Sequence, residues 1–129
     1  MDKKKLIILA VIVIAFIVYS QMQRNNDNPR IFYRKKLVNN YNGYAIPPIG
    51  IFIKESEMGN KSLHQHERTH WLQFQREGLL PFLFNYGKEA LNKGYDKNPY
   101  EIEARVGESN YCKENLYRMC KKRTCENCL

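Results

Sequence analysis

Two of the three histidines lie in one pentapeptide, His66-Glu67-Arg68-Thr69-His70, which has the form H-E-x-x-H. Residues four apart on a helix project from one face at about 6 Å. Two imidazoles placed in this way can share one tetrahedral Zn²⁺. Glu67 would stand beside the metal, where a carboxylate can take a proton from metal-bound water and return it to a leaving amine. The motif also occurs by chance on ordinary helices that carry two surface histidines. Its predicted helical setting and a preceding β-prone run favour a metal site here.

A catalytic zinc needs a third protein ligand and one position left open for water. Spacing excludes two classes of site. The metzincin pattern requires Gly and His where this chain has Gln73 and Arg76, and the peptide deformylase pattern requires a cysteine upstream, whereas all four cysteines lie downstream. The remaining candidates for the third ligand are three downstream glutamates: Glu89, Glu101 and Glu103.

Glu101 also has a purely structural interpretation. Asn98-Pro99 is typical of a helix start, with Asn at the N-cap and Pro at the first helical position. Glu101 would then stand at the third helical position of a capping box, where its carboxylate binds the backbone and no metal. Glu103 could likewise be only a solvated or paired carboxylate.

The pattern H-E-x-x-H-x-x-Q at residues 66–73, followed by N-P-x-E-x-E-A at 98–104, resembles the small gluzincin-like metallopeptidases over about residues 50–108. The resemblance implies that His66, His70 and Glu101 bind Zn²⁺, and that Glu67 activates a zinc-bound water for peptide-bond hydrolysis. It therefore implies a peptide or protein substrate. Related enzymes often carry an Asp four residues after the ligand Glu, which supports a histidine. Arg105 occupies that place here.

A second function class remains open, namely a non-catalytic, membrane-attached zinc-binding module with a degenerate peptidase fold. The retained Glu67 disfavours it, because a structural site has no use for a base. The oxyanion of a hydrolytic reaction would need a further donor, for which three tyrosines are candidates by type alone: Tyr95, Tyr100 and Tyr111. His64 is expected to support the site or face solvent.

The elements that position these residues give an α+β fold. The sequence predicts a hydrophobic N-terminal helix, a small extended or β region with a strand at residues 51–53, and a minimal zincin-like helical core. The first core helix should run over residues 63–77, with Ser62 as N-cap and Gly78 at its end. A second helix should cover 79–92 and end at Gly94, and a third should run from 98 to about 118.

The first 20 residues are predicted to be a signal peptide or a membrane anchor. Three lysines precede an unbroken apolar run at residues 6–19. Fourteen helical residues span roughly 21 Å, which is short for a hydrocarbon core of about 30 Å but typical of a signal peptide. The protein is thus expected either in the membrane, anchored by this segment, or secreted after cleavage near Ser20.

The formal net charge is +8, from 21 Lys+Arg against 13 Asp+Glu. The positive excess lies toward the two ends, whereas residues 61–110 hold seven charges of each sign. Nucleic-acid binding is therefore not favoured. We expect a basic linker or entry segment at 21–40, in which residues 31–38 could form a strand or the first helix of the domain, the metallopeptidase core at 41–110 and a basic, cysteine-rich tail at 111–129. The oligomeric state is left open.

The tail carries all four cysteines of the chain. On an exported protein an even number of cysteines indicates two disulfides, with reduced thiols or a second, structural zinc as alternatives. The residues concerned are Cys112, Cys120, Cys125 and Cys128.

Overall fold

The computed structural model describes the backbone of residues 1–120 and the side chains of residues 1–109. Within these residues the fold is α+β, as predicted, with four helices and one three-stranded sheet. The helices are α1 (Lys3–Arg24), α2 (Lys61–Glu77), α3 (Leu79–Lys97) and α4 (Pro99–Cys120). The strands are β1 (Ile31–Arg34), β2 (Gly43–Ile46) and β3 (Gly50–Lys54), and single 3₁₀ turns follow β1 and β3 at Val38–Asn40 and Glu55–Glu57.

Strand β3 lies at the centre of the sheet, parallel to β1 and antiparallel to β2. Ile51 and Ile53 alternate along it and are fully buried, and the sheet packs against α2 through β2 and β3. Because side chains alternate between the two faces of a strand, these isoleucines fix which face meets the helices. The sequence predicted β3. It left residues 31–38 open between a strand and a helix, and the structure has β1 there, paired with β3 in the sheet.

Helix α2 begins two residues earlier than the sequence predicts. Asn60 is the N-cap, and its Oδ1 accepts a hydrogen bond from the backbone N–H of Leu63 at 3.1 Å. The expected cap, Ser62, lies inside the helix and donates its hydroxyl to Asn60 Oδ1. The predicted end is confirmed, because Gly78 has φ of 87° and its N–H donates to Phe74 O.

Helices α3 and α4 complete the core on the other side of α2. Phe82 of α3 packs with the buried Trp71 and Phe74 of α2. Gly94, at φ 75°, interrupts the helical dihedrals of α3 where the sequence places its end, although helical residues follow to Lys97. The predicted start of α4 is confirmed, since Asn98 Oδ1 accepts the N–H of Tyr100 at 3.1 Å.

Helix α1 is longer than the apolar run and ends inside the segment expected to be a linker. It has 22 residues and is long and apolar enough to cross a membrane or serve as a signal sequence. Its one buried residue is Ser20. At its end, the Arg24 guanidinium donates to two carbonyls in the last turn of α2, Gln75 O at 2.8 Å and Arg76 O at 3.1 Å. The prediction on the cysteine side chains lies outside the described residues.

Candidate metal centre

Three side chains from two helices converge on one point. His66 and His70 lie one turn apart on α2, and Glu101 projects from the first turn of α4. Glu101 Oε2 is 3.1 Å from His66 Nε2, and Glu101 Oε1 is 3.3 Å from His70 Nε2. One ligand atom from each residue lies within 4.8 Å of the other two. Their side chains are only 12%, 10% and 4% exposed, so the group is shielded from solvent.

The structure separates Glu101 from the two other candidate ligands. Glu89 pairs with Lys93 on α3 at 2.9 Å, and Glu103 pairs with Arg76 at 2.8 Å. The capping-box alternative for Glu101 does not hold. The Asn98 N–H that such a box would engage donates instead to Tyr95 O, and the Glu101 carboxylate faces the histidines.

The charges of the cluster are strongly coupled. Burial alone would lower the pKa of His66 and of His70, but hydrogen bonds and attraction to the Glu101 carboxylate outweigh it and raise both. Burial would raise the pKa of Glu101, but its hydrogen bonds to His66, His70 and Tyr86 lower it well below the ordinary range. The group therefore stabilises positive charge beside a permanently ionised carboxylate, which is the electrostatic setting of a cation site.

Each histidine is also held from its far side. His66 Nδ1 lies 3.2 Å from Glu108 Oε2, and His70 Nδ1 lies 2.9 Å from Gln73 Oε1. If each Nδ1 donates its proton to these acceptors, both Nε2 atoms are left free to bind a metal. Such outer partners fix the orientation and tautomer of the ring.

Gln73 is in turn fixed by α4. It is fully buried, and its amide nitrogen donates to Tyr100 O at 2.9 Å and to Glu103 Oε2 at 3.0 Å. Its oxygen must then be the atom that faces His70. Gln73 is the last residue of the H-E-x-x-H-x-x-Q pattern, and the structure adds its partners.

The sequence did not point to Glu108. The resemblance places a supporting carboxylate at position 105, where this chain has Arg105. The side chain of Arg105 instead donates to Asp96 O. Glu108 follows Glu101 by seven residues, which is two helical turns. That spacing on a predicted helix could have indicated it.

Glu67 lies beside the cluster and is only 4% exposed. Burial raises its pKa to about 7, against the lowering effect of the nearby His70 and His66. A carboxyl with a pKa near neutrality is suited to accepting and releasing a proton. Strand β2 passes close to it because Gly43 has no side chain. A Cβ at Gly43 would lie 3.0 Å from Ile53 Cδ1 and 3.4 Å from Glu67 Cγ.

A cleft of about 640 Å³ is lined by the cluster and Glu67. One side is β2, the edge strand of the sheet, and another is α3, which contributes Phe82, Leu83 and Tyr86. The cleft thus combines a mostly apolar lining with a few converging polar groups, which is typical of ligand sites.

Two tyrosines approach Glu101 within the cleft. The Tyr86 hydroxyl donates to Glu101 Oε1 at 2.6 Å, a contact that the sequence analysis missed. The position of Tyr86 in the sequence, one helical turn after the buried Phe82, could have indicated this contact. Tyr95, which the sequence did name, lines the cleft, and burial together with the Glu101 charge raises its pKa to about 12.

The other candidates named from the sequence lie elsewhere. The Tyr100 hydroxyl donates to Glu77 Oε1 at 2.7 Å, and the side chain of Tyr111 is outside the described residues. His64 does not join the metal group and lies 3.1 Å from the Tyr33 hydroxyl.

No protein-family model, curated protein or solved structure matches this chain.

Proposed function

We propose that the protein is a membrane-anchored, zinc-dependent peptidase. The observation that carries the proposal is the position of Glu67, buried and bordering the same cleft as the three-ligand cluster. Structural zinc sites are closed by four protein ligands, whereas catalytic ones use three and keep one position open. Among the described residues the group offers three ligands, and the cleft provides the access that the open position needs.

The distance from the Glu101 carboxylate to each histidine is close to the distance between two zinc ligands. With bonds of 2.0–2.1 Å, two ligands of a tetrahedral Zn²⁺ stand about 3.3 Å apart. Glu101 Oε2 lies 3.1 Å from His66 Nε2 and Glu101 Oε1 lies 3.3 Å from His70 Nε2, and one ligand atom of each residue lies within 4.8 Å of the other two. Two imidazoles and one carboxylate are also a donor set found in zinc peptidases. Held by these residues, Zn²⁺ would supply a Lewis acid that polarises the scissile carbonyl and increases the acidity of water.

The residues of the chain supply the proton transfers. Glu67 accepts the proton of the attacking water on its carboxylate and passes it to the nitrogen of the leaving amine. Tyr95 lines the cleft and can donate its hydroxyl to the oxyanion that develops on the carbonyl. Tyr86 also lines the cleft, and its hydroxyl donates to Glu101 Oε1 at 2.6 Å.

A peptide is the substrate that the shape of the cleft favours. β2 is the outer strand of the sheet and borders the cleft through residues 43–46. The outer edge of such a strand offers backbone donors and acceptors that an extended peptide can pair with, apart from the Ala45 N–H, which is bound to Glu67. A peptide bound in this way would run past Glu67 and the metal ligands.

The test compares the full-length chain with its Glu67→Gln variant, both purified with zinc. We expect one zinc per chain in each, and cleavage of a peptide pool by the wild type that falls by about 10²–10⁴-fold in the variant. Glu89→Gln is the matched control, because Glu89 pairs with Lys93 away from the cleft. A wild type that binds zinc but cleaves nothing would favour the non-catalytic module. A chain that binds no metal would exclude both functions.

A further inference from the structure

The outward face of α3 is apolar where a surface helix is normally polar. Leu80, Phe84 and Leu91 are 76%, 71% and 90% exposed, and Leu83 between them is 50% exposed. Their spacing of three, four and seven residues places them along one side of the helix. We call these four residues the α3 face. Contiguous exposed apolar surface of this kind marks an interaction site in soluble and membrane-bound proteins.

The start of α3 lies next to the end of α1. Gly78, which precedes α3, is close enough to the α1 terminus that a Cβ there would lie 3.5 Å from Arg24 Nη1. Ser20, one turn before Arg24, is also buried, although the rest of α1 before it is exposed. The domain therefore packs against the end of α1, on the side where α3 begins.

The chain that leaves α1 runs along α2 towards its N-terminus. The carbonyl of Asn26 accepts the indole N–H of Trp71 at 2.9 Å, and the Tyr33 hydroxyl then reaches His64. The N-terminal end of α2, with Met58 just before it, is thus the end farther from α1. A 17-residue helix separates the two ends by about 25 Å.

We propose that the α3 face lies on the surface of the lipid bilayer that α1 crosses. An exposed apolar side of a helix can bury itself in the membrane interface, about 5–10 Å deep. The exposed Lys88, at the border of the face, can reach lipid headgroups. The proposal depends on α1 being a membrane segment, but it does not depend on catalysis.

The α3 face also joins the proposed active site. Leu83 belongs to the face and lines the cleft at the same time. The mouth of the cleft therefore opens at the bilayer surface. If the protein is a peptidase, its substrates are peptide segments that lie on, or emerge from, the membrane.

The test uses tryptophan as a depth probe in the full-length protein. Leu80→Trp, Phe84→Trp and Leu91→Trp are each reconstituted in phosphatidylcholine–phosphatidylglycerol vesicles whose acyl chains carry bromine, which quenches nearby indoles. Met58→Trp is the control, because Met58 is 51% exposed at the far end of α2. The single native tryptophan, Trp71, is 1% exposed and gives a constant background.

We expect each of the three α3 probes to lose about half of its added emission in brominated vesicles, since the interface lies within reach of the acyl chains, and Met58→Trp to lose almost none. Equal quenching of all four probes, or of none, would overturn the proposal. Quenching of Leu80→Trp alone would also overturn it, because α3 would then stand away from the bilayer. Probes whose emission is blue-shifted but not quenched would show that protein, and not lipid, covers the α3 face. This result would also overturn the proposal. None of these fluorescence measurements requires bound metal or peptide cleavage. Failure of the proposed peptidase function would therefore be detected separately, in the cleavage assay.

Discussion

His66 Nδ1 and Glu108 Oε2 lie 3.2 Å apart, so a carboxylate two turns beyond Glu101 holds the first histidine of the motif from behind. This contact joins α2 to α4 on the side of the ring opposite to Glu101. The interaction is comparable to that of the supporting carboxylate which the resemblance places at position 105. Its orienting effect should be measurable in metal binding.

We expect Glu108→Ala to weaken zinc binding by about 10–100-fold, because outer partners of metal-binding histidines contribute on this scale. Competition with a chromophoric chelator measures the affinity directly. Glu108→Gln should lose less, since its amide oxygen can still accept from Nδ1. An unchanged affinity in Glu108→Ala would show that the 3.2 Å contact does not orient the ring.

The third ligand can be identified by comparing three glutamate variants. Glu101→Ala should abolish stoichiometric zinc binding, because it removes the only carboxylate among the described residues that touches both histidines. Glu89→Ala should bind zinc as the wild type does. Glu103→Ala should bind it slightly less well, since Glu103 holds Gln73. Metal content after dialysis gives the result, and full occupancy in Glu101→Ala would exclude Glu101 as a ligand.

Zinc affinity should fall as the pH is lowered, beginning above the ordinary histidine value of 6.5. In the metal-free chain the pKa values of His66 and His70 are raised by Glu101, so both rings keep a proton to a higher pH than usual. Zinc must displace these protons and therefore binds with proton release. Calorimetry in buffers of different ionisation enthalpy measures the number released. Zero protons released near neutral pH would contradict this prediction.

The role proposed for Tyr95 is separable from metal binding. Tyr95→Phe should lower kcat by about 10²-fold, as expected for loss of one oxyanion donor, and should leave the zinc content unchanged. Tyr100→Phe is the control, because its hydroxyl is bound to Glu77. If Tyr95→Phe retains full kcat, the donor must be sought elsewhere, with Tyr86→Phe as the next variant.

The contact between α2 and α4 can be tested through stability. A Cβ at Gly107 would lie 2.6 Å from Thr69 Oγ1, so Gly107→Ala should lower the free energy of unfolding by about 1–3 kcal/mol through overpacking. A Cβ at Gly87 on α3 would have no neighbouring atom within 4 Å. Gly87→Ala should therefore raise the free energy of unfolding by up to about 1 kcal/mol. Urea titration of the metal-free protein measures both. If both substitutions changed the free energy of unfolding equally, α2 and α4 could move apart at Gly107 without loss of stability.

Local patterns in the sequence were sufficient to predict the part of the site that lies on helices. The spacing of His66 and His70 depends only on helical geometry, and the Asn98-Pro99 start of α4 depends only on capping. The choice of Asn60 over Ser62 as N-cap was missed because both residue types accept the same backbone hydrogen bond. Residues 31–38 were left open between a strand and a helix because the strand that pairs with β1 lies 20 residues away in the sequence.

Contacts between helices needed the structure. Tyr86 and Glu108 are not marked by any motif, and their roles follow from how α3 and α4 cross α2. The same packing selects Glu101 among three glutamates that the sequence left open. Each of these depends on the relative orientation of elements, which no local pattern specifies.

The junction of Arg24 with the last turn of α2 has a consequence for how the protein meets other molecules. If α1 anchors the proposed peptidase in a membrane, its cleft searches two dimensions rather than three, and membrane-borne partners reach it at a high effective concentration. Weak contacts in the cleft can then suffice for turnover. A small domain with a short sheet would not need extensive recognition surfaces, because confinement to one plane already limits which chains it encounters.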